Sequence, residues 1–428
     1  MKPGLPWAVG ENATMTRSTE TVQEVADILD HESISTWFQP VVDLVTGAVV
    51  GYEGLTRGPQ ESPLRMPTEL FEAAREAHRL EELDWQCRLT ALGGALASGM
   101  GPPLTLFMNV EPEVLSSPPD HAEPVLARAM GGLRVIVELT ERALLEQPGT
   151  LLQFVETVRQ AGWGLAVDDI GAHPHSLAML SVIEPDVVKI DQPRLKAMPR
   201  TTAAALISGI QTYCRRAGAR VVAEGLETDD DTETARSTGA RYGQGWFYGR
   251  PSPLTHAEGA PGGPIPLLNP RAHRPTRRLI HVVTRSESAQ PGTRERVNRV
   301  SGYLLDHAAE LGPNTLVIIC VQTMAFVDDT IRSTLQRLVG RVAHLALLGV
   351  DLPFDLVPGA HITQLSPADP LVSEWVIATI GLQEAIALVA SDLGDDYNAG
   401  GDRRYEFVVT YNPQMVTDVS RALLSRMT

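Results

Sequence analysis

Short apolar runs that break off on a polar side chain recur along this chain, and they constrain its fold more than any other feature. Six of them are Val49-Val50-Gly51-Tyr52-Glu53, Leu104-Thr105-Leu106-Phe107-Met108-Asn109, Val135-Ile136-Val137-Glu138, Leu165-Ala166-Val167-Asp168-Asp169, Val187-Val188-Lys189 and Val221-Val222-Ala223-Glu224. Gln39 follows Trp37-Phe38 ahead of the first run, and Gln244 lies beyond the last. After Asn109 the runs are spaced by roughly 20–35 residues, the length of one strand and one helix. A parallel strand buried in a barrel stays apolar up to its C-terminal end, where the mouth opens. The pattern therefore predicts an α/β chain built on a (β/α)8 TIM-type barrel. Several carboxylates at one rim repel each other unless cations neutralise them, so it also predicts bound divalent metal.

The length of 428 residues suits such a barrel followed by a smaller α/β domain. A hydrophobic fraction of 43% is that of a globular protein rather than a disordered one. The formal net charge of −16 argues against DNA and against anionic membrane surfaces, which need clustered Lys and Arg. It leaves room for one small phosphorylated ligand held through metal. Cys87, Cys214 and Cys320 are far apart and form no CxxC pair, so neither a disulfide framework nor a zinc–thiolate site is expected. No apolar run reaches membrane-spanning length, and a cytoplasmic location with no membrane insertion is expected.

Residues 1–29 read as a flexible leader and the barrel domain as 30–252. Trp37 to Leu44 and Val49-Val50, around Thr46-Gly47, predict a hairpin, which makes the first strand antiparallel. Helices are expected from Pro67, with Thr68 as cap, and over Leu80–Leu96, Leu151–Gln160 and Ala203–Arg216, the last closed by Gly218. Residues 253–277, with Ala260-Pro261-Gly262-Gly263-Pro264, read as a linker. The second domain, 278–428, has strand candidates at Leu279–Val283, Leu316–Cys320, Leu345–Leu348, Trp375–Ala378 and Phe407–Thr410. Its helix candidates are Arg294–Leu311, Asp329–Val342, Leu382–Leu393 and Pro413–Met427.

The strand-end residues are of types that fit phosphodiester hydrolysis. Adjacent Asp168 and Asp169 can supply a bridging and a terminal metal ligand. Glu53, Asn109, Glu138 and Glu224 can complete two octahedral oxygen shells, which suits Mg2+ or Mn2+. Two such ions clamp a phosphodiester and activate water. Lys189 adds fixed positive charge, and Gln244 can orient water or ligand. Any one of these residues standing alone at a strand end would be read as solvated surface; the joint pattern carries the argument.

From about residue 31 to 252 the chain resembles the EAL family of cyclic-di-GMP phosphodiesterases. Phe38-Gln39-Pro40-Val41-Val42-Asp43 is similar to its opening motif, and Glu53-Gly54-Leu55-Thr56-Arg57 to its Glu-Ala-Leu-x-Arg signature. Asn109, Glu138-Leu139-Thr140-Glu141, Asp168-Asp169, Lys189-Ile190-Asp191, Ala223-Glu224-Gly225-Leu226-Glu227-Thr228 and Gln244-Gly245 follow in the family's order. The resemblance implies that Glu53, Asn109, Glu138, Asp168, Asp169 and Glu224 hold two metal ions. It implies that Lys189 contacts the attacking water or scissile phosphate, with Glu224 also a candidate general base. It places Gln39, Leu55, Arg57, Asp191 and Gln244 at the dinucleotide. Glu141 would brace the loop after Asp168-Asp169, which in the family couples the metal site to a dimer interface, and Glu227 would hold the loop that positions Glu224. The implied product is linear pGpG, and the implied assembly a homodimer through the barrel.

Two positions depart from the family pattern. Gly54 replaces Ala in the signature, and the loop Asp168-Asp169-Ile170-Gly171-Ala172-His173-Pro174-His175-Ser176-Leu177 lacks the usual Phe and gains a Pro. Errors of about one ångström in a catalytic site cost about a hundredfold in rate, so a catalytically impaired cyclic-di-GMP receptor is the competing expectation. An enolase-like barrel is a third, and the Asp pair and Asn109 argue against it. His173 and His175 are expected to be solvated loop residues rather than an added metal contact. The second domain resembles, through Glu374-Trp375-Val376-Ile377 and Arg403 to Pro413, the DICT sensory module, which implies sensing of a ligand or partner that the sequence does not name.

Overall fold

The computed structural model describes residues 10–111, 113–115, 117–141, 144, 147–171, 177–259, 263–268, 278–381, 384–394 and 403–427. Eight strands close a barrel in sequence order: β1 (Ser35–Asp43), β2 (Val49–Arg57), β3 (Thr105–Asn109), β4 (Arg134–Thr140), β5 (Gly164–Asp168), β6 (Val187–Asp191), β7 (Arg220–Glu224) and β8 (Tyr242–Gly243). β1 runs antiparallel to both neighbours, β2 and β8. Parallel pairing joins β2 to β3, β3 to β4 and β7 to β8. Strands β3 to β8 are buried along almost their whole length, while β1 opens at its start and β2 at its end. In β3, β5 and β7 burial relaxes at the last residue, which is Asn109, Asp168 or Glu224. That is the sequence pattern in physical form: apolar where both faces are covered, polar where the strand meets the rim.

A seven-stranded sheet follows, from β9 (Gln290–Thr293), β10 (Leu316–Thr323), β11 (His344–Val350), β12 (His361–Gln364), β13 (Glu374–Ile380), β14 (Ala385–Asp392) and β15 (Arg404–Thr410), in the order β12-β11-β10-β13-β14-β15-β9. The β10–β12 strands are parallel and the rest pair antiparallel. One face packs Val317, Ile319, Leu347 and Ile377 against Val297, Leu304 and Leu335 of the helices Arg294–Leu311 and Asp329–Leu338. By packing, the chain forms two compact units. One is Met1–Leu139 with Ala161–Ala166 and Val222–Ile265; the other is Thr140–Gln160 with Val167–Val221 and Pro266–Thr428. The second unit thus joins barrel segments to the seven-stranded sheet. No helix among the described residues is long and apolar enough to cross a membrane.

Several elements differ from expectation. Residues Gly10–Asp30 form a helix where a loose leader was expected. Its last turns bury Val25, Ile28 and Leu29 against Ile34, Leu70 and Leu83, at the i, i+3, i+4 spacing of an amphipathic face. The helix Pro67–Glu76 is preceded by Met66, with no side-chain cap, so Thr68 lies inside it. Ile280–Val283 is a short helix and not a strand. Its start is fixed by Glu374, wholly buried, which accepts the Leu279 and Ile280 backbone N–H groups at 2.8 and 3.0 Å. The expected helix over Leu382–Leu393 is the strand β14 from Ala385, with 382–383 outside the described residues. Flanked by β13 and β15 and covered on both faces, β14 is apolar from Ala385 to Ala390 and carries no alternation there.

Candidate functional site

The residues singled out in the sequence fall into two groups, one in each compact unit. In the first unit, Glu53 on β2 is 6% exposed, and both carboxylate oxygens accept side-chain amides. Asn109 donates to Oε1 at 2.9 Å and Gln244 to Oε2 at 2.7 Å. The Gln244 amide also donates to Gln39 Oε1 at 3.0 Å, and the Gln39 amide donates to the Gly249 carbonyl at 3.0 Å. Register explains the grouping: Gln39 lies opposite Glu53, and Asn109 lies opposite Glu138, which is 1% exposed.

Gln244 owes its place to close backbone packing. Its N–H donates to the Ala223 carbonyl at 2.8 Å, and its own carbonyl accepts Leu226 N–H at 3.1 Å. A Cβ on Gly245 would stand 2.0 Å from the Leu226 carbonyl oxygen, so only glycine allows this approach. Glu224, half-buried, ends β7 just before Leu226. Leu55 and Arg57 are half-buried on the outgoing end of β2. The Arg57 guanidinium sits 5.5 Å from the Trp37 ring centroid, and burial lowers its pKa. Glu227 is exposed, and the contact that ties down its segment belongs to Asp231. The Asp231 carboxylate accepts the Glu227 and Thr228 N–H groups at 3.1 and 2.9 Å in a capping box. The Thr228-x-x-Asp231 spacing was the available signal for it.

Asp84 and Arg88, also not singled out in the sequence, serve the segment after Asn109. They form a buried ion pair on the helix Leu80–Ala97. Asp84 accepts Glu111 N–H at 2.9 Å, and Arg88 donates to the Val114 carbonyl at 2.5 Å. Their i, i+4 spacing on an otherwise apolar helix face was legible in the sequence.

In the second unit, Asp168 ends β5 and Asp169 follows it with φ +58°. Asp169 N–H donates to Asp168 Oδ1 at 2.8 Å. Glu141, 3% exposed, meets this segment twice: its N–H donates to the Asp168 carbonyl at 3.0 Å, and its Oε2 accepts Gly171 N–H at 3.2 Å. Lys189 is 1% exposed, with Nζ 3.8 Å from Asp168 Oδ2. Arg194 lies 3.4 Å from the Asp169 carboxylate and donates to its carbonyl at 3.2 Å. Burial, then the Asp168 charge, raises the Asp169 pKa, and Arg194 opposes the rise. Asp191 caps the helix Gln192–Ala197 by accepting Arg194 N–H at 2.6 Å. His173 and His175 lie outside the described residues, as does the rest of 172–176.

The donors present are carboxylates and amides, a set that suits hard divalent cations. Gln244 Oε1, buried beside Glu53, has no hydrogen-bond donor among the described residues and could accept from an ordered water or face a cation. No three His, Cys, Asp or Glu among the described residues form a ready-made ligand cluster. Glu53 is instead engaged by the Asn109 and Gln244 amides and Asp169 by Arg194, contacts that an incoming cation has to displace.

Comparison with known proteins adds the ancestry. The chain is similar to the cyclic di-GMP phosphodiesterase RocR of Pseudomonas aeruginosa, 29% identical over 250 residues, covering 55% of this chain and 62% of that protein. It is 29% identical over 237 residues to the probable cyclic di-GMP phosphodiesterase PdeB of Escherichia coli, covering 53% of this chain and 44% of that one. It thus spans less than two thirds of either relative. Among solved structures, the manganese/cy-diGMP complex of Klebsiella pneumoniae BlrP1 at pH 6 is 28% identical with a TM-score of 0.45, covering 51% of this chain and 56% of that one. The EAL-domain family model matches residues 22–251, more than half of the chain, and the chain belongs to the EAL domain family.

Proposed function

We propose that this chain is a metal-dependent phosphodiesterase that hydrolyses cyclic-di-GMP to linear pGpG. The observation that carries the reading is the nearly complete burial of Glu53, Glu138 and Lys189 within barrel strands β2, β4 and β6 of an EAL-family chain. Charged groups this deeply buried are expensive unless they serve a partner or a ligand. The names of the relatives RocR and PdeB support the substrate.

In this reading Glu53, Asn109, Glu138, Asp168, Asp169 and Glu224 hold Mg2+ or Mn2+, two ions in all. When bound, these cations supply the positive charge that a phosphodiester needs as it is attacked. Gln39, Leu55, Arg57, Asp191 and Gln244 hold the dinucleotide. The Lys189 ammonium, beside Asp168, steadies the attacking water or the phosphate oxygen. Glu224 takes the proton from water, the water oxygen bonds to phosphorus, and one phosphorus–O3′ bond breaks. The released O3′ receives a proton, which leaves linear pGpG. Glu141 keeps the Asp168-Asp169 segment in place. The seven-stranded domain acts as a DICT-like sensory module, and the protein works as a cytoplasmic homodimer through its barrel.

The test is direct. Full-length protein is incubated with cyclic-di-GMP and Mg2+ or Mn2+, and products are separated by chromatography. Metal-dependent pGpG is the expected result. Micromolar binding with no pGpG would replace the enzyme with a receptor.

A further inference from the structure

We propose that the C-terminal helix Pro413–Leu424 sets the position of the Asp168-Asp169 pair, with Arg421 as the positioning residue. The inference rests on the reading of that pair as metal ligands, and it adds how the rest of the chain controls them.

Glu141 and Asp168 are in contact, and the next described helix after each of them in sequence is held by the C-terminal segment. After Asp168-Asp169-Ile170-Gly171 comes the helix Leu177–Ile183, all seven residues of which are buried. Arg421, 6% exposed, reaches its end: Nε donates to the Val182 carbonyl at 2.6 Å, and the guanidinium pairs with Glu184 at 2.8 Å. A cation at the last carbonyls of a helix satisfies groups that the helix cannot satisfy itself. Thr417 adds a hydrogen bond to the Ser181 carbonyl at 3.4 Å. After Glu141 comes the helix Pro148–Gln160. Its Gly149 donates its N–H to the Met427 carbonyl at 2.9 Å, and a Cβ there would stand 2.4 Å from that oxygen.

The C-terminal helix also packs on β13 and β14. Arg426, just past its end, pairs with Asp369 at 2.9 Å. One element therefore touches the seven-stranded sheet, the helix after the acidic pair and the helix after Glu141. A shift of the sheet is then felt at the helices that follow both Glu141 and the pair, and Arg421 is the buried cation that makes the contact from the C-terminal helix.

Full-length Arg421→Met, Arg421→Lys, Glu184→Gln and Gly149→Ala test this. Three readouts are taken: free Mn2+ by electron paramagnetic resonance, amide exchange over 168–171, and the separate effects on kcat and KM for cyclic-di-GMP. Arg421→Met is expected to weaken Mn2+ binding about tenfold, raise exchange at 168–171 and lower kcat. KM should change less than about twofold, and Lys at 421 should restore part of the loss. Glu184→Gln and Gly149→Ala keep the test open if Arg421→Met does not fold, and both should move the same readouts in the same direction. Unchanged Mn2+ binding and exchange in folded variants, even with a lower melting temperature, would overturn the inference. If wild-type protein binds Mn2+ without hydrolysis, the enzymatic reading fails while Mn2+ binding and exchange still decide this one. If it binds no Mn2+, this inference falls together with the metal assignment.

Discussion

The Gln244 side chain donates to Glu53 and to Gln39, so one buried amide ties the residue after the last barrel strand to the first hairpin. All three residues are buried. Removing the amide leaves two buried acceptors without that donor, at about 1–3 kcal/mol each. The contact also fixes which way the Glu53 carboxylate faces, and the Glu53 carboxylate is the group on which the proposed chemistry most depends.

Glu53→Ala is expected to lower kcat for cyclic-di-GMP by at least about a hundredfold, the scale of a one-ångström misplacement in a catalytic site. The far-ultraviolet circular dichroism should match wild type. Retained turnover in this variant would show that the acid set is wrongly assigned.

Asp84 and Arg88 should behave as a buried pair whose halves depend on each other. Arg88→Met is expected to destabilise by about 3–5 kcal/mol, because Asp84 is left buried with its charge uncompensated. The double variant Asp84→Leu/Arg88→Met should recover much of that loss in urea titration. Equal losses in single and double variants would mean that the pair contributes through packing alone.

The barrel was legible because both its period and its exceptions are in the sequence. The runs Leu104–Asn109, Leu165–Asp168 and Val221–Glu224 are apolar where β3, β5 and β7 are covered and polar where those strands end, whereas Glu138 and Lys189 close their runs two residues before β4 and β6 end and stay buried. The second domain was harder. β14 is apolar from Ala385 to Ala390 because β13 and β15 flank it and both faces are covered, so its run reads equally as a buried helix. The Ile280–Val283 segment has strand-forming residues, yet Glu374, more than 90 positions away, captures its N-terminal amides. The short edge strands β9 and β12 are only partly buried or exposed and left no periodic signal. Local propensity cannot register partners supplied by distant chain.

His344 makes a pH prediction. Its ring stands 5.8 Å from that of His361, centroid to centroid, and its Nε2 is buried without a hydrogen-bond partner among the described residues. Burial, then the His361 charge, pushes its pKa down to about 4. The unfolded value is about 6.5, so below that pH the unfolded chain binds a proton that the folded one does not. Its stabilising contribution is complete above about pH 6.5 and is lost as the pH falls through about 4, on the order of 3 kcal/mol in all. Urea midpoints at pH 7.5 and 4.5 should therefore fall less with acid in His344→Gln than in wild type. Parallel curves would mean that His344 titrates normally.

Gly245→Ala tests the packing that places Gln244. The new Cβ would meet the Leu226 carbonyl oxygen at 2.0 Å and the Leu226 nitrogen at 2.3 Å, both backbone atoms that no rotamer change can move aside. The segments 224–226 and 243–245 then have to part, which strains the Gln244–Ala223 and Leu226–Gln244 hydrogen bonds. A stability loss of about 1–3 kcal/mol is expected, together with weaker binding of cyclic-di-GMP as Gln244 withdraws from Glu53 and Gln39. Gly263→Ala is the control, because its Cβ position is open and its effect should stay within about 0.5 kcal/mol. Binding by calorimetry at matched folded fraction separates lost affinity from lost fold. Wild-type affinity in Gly245→Ala would show that Gln244 has no part in holding the dinucleotide.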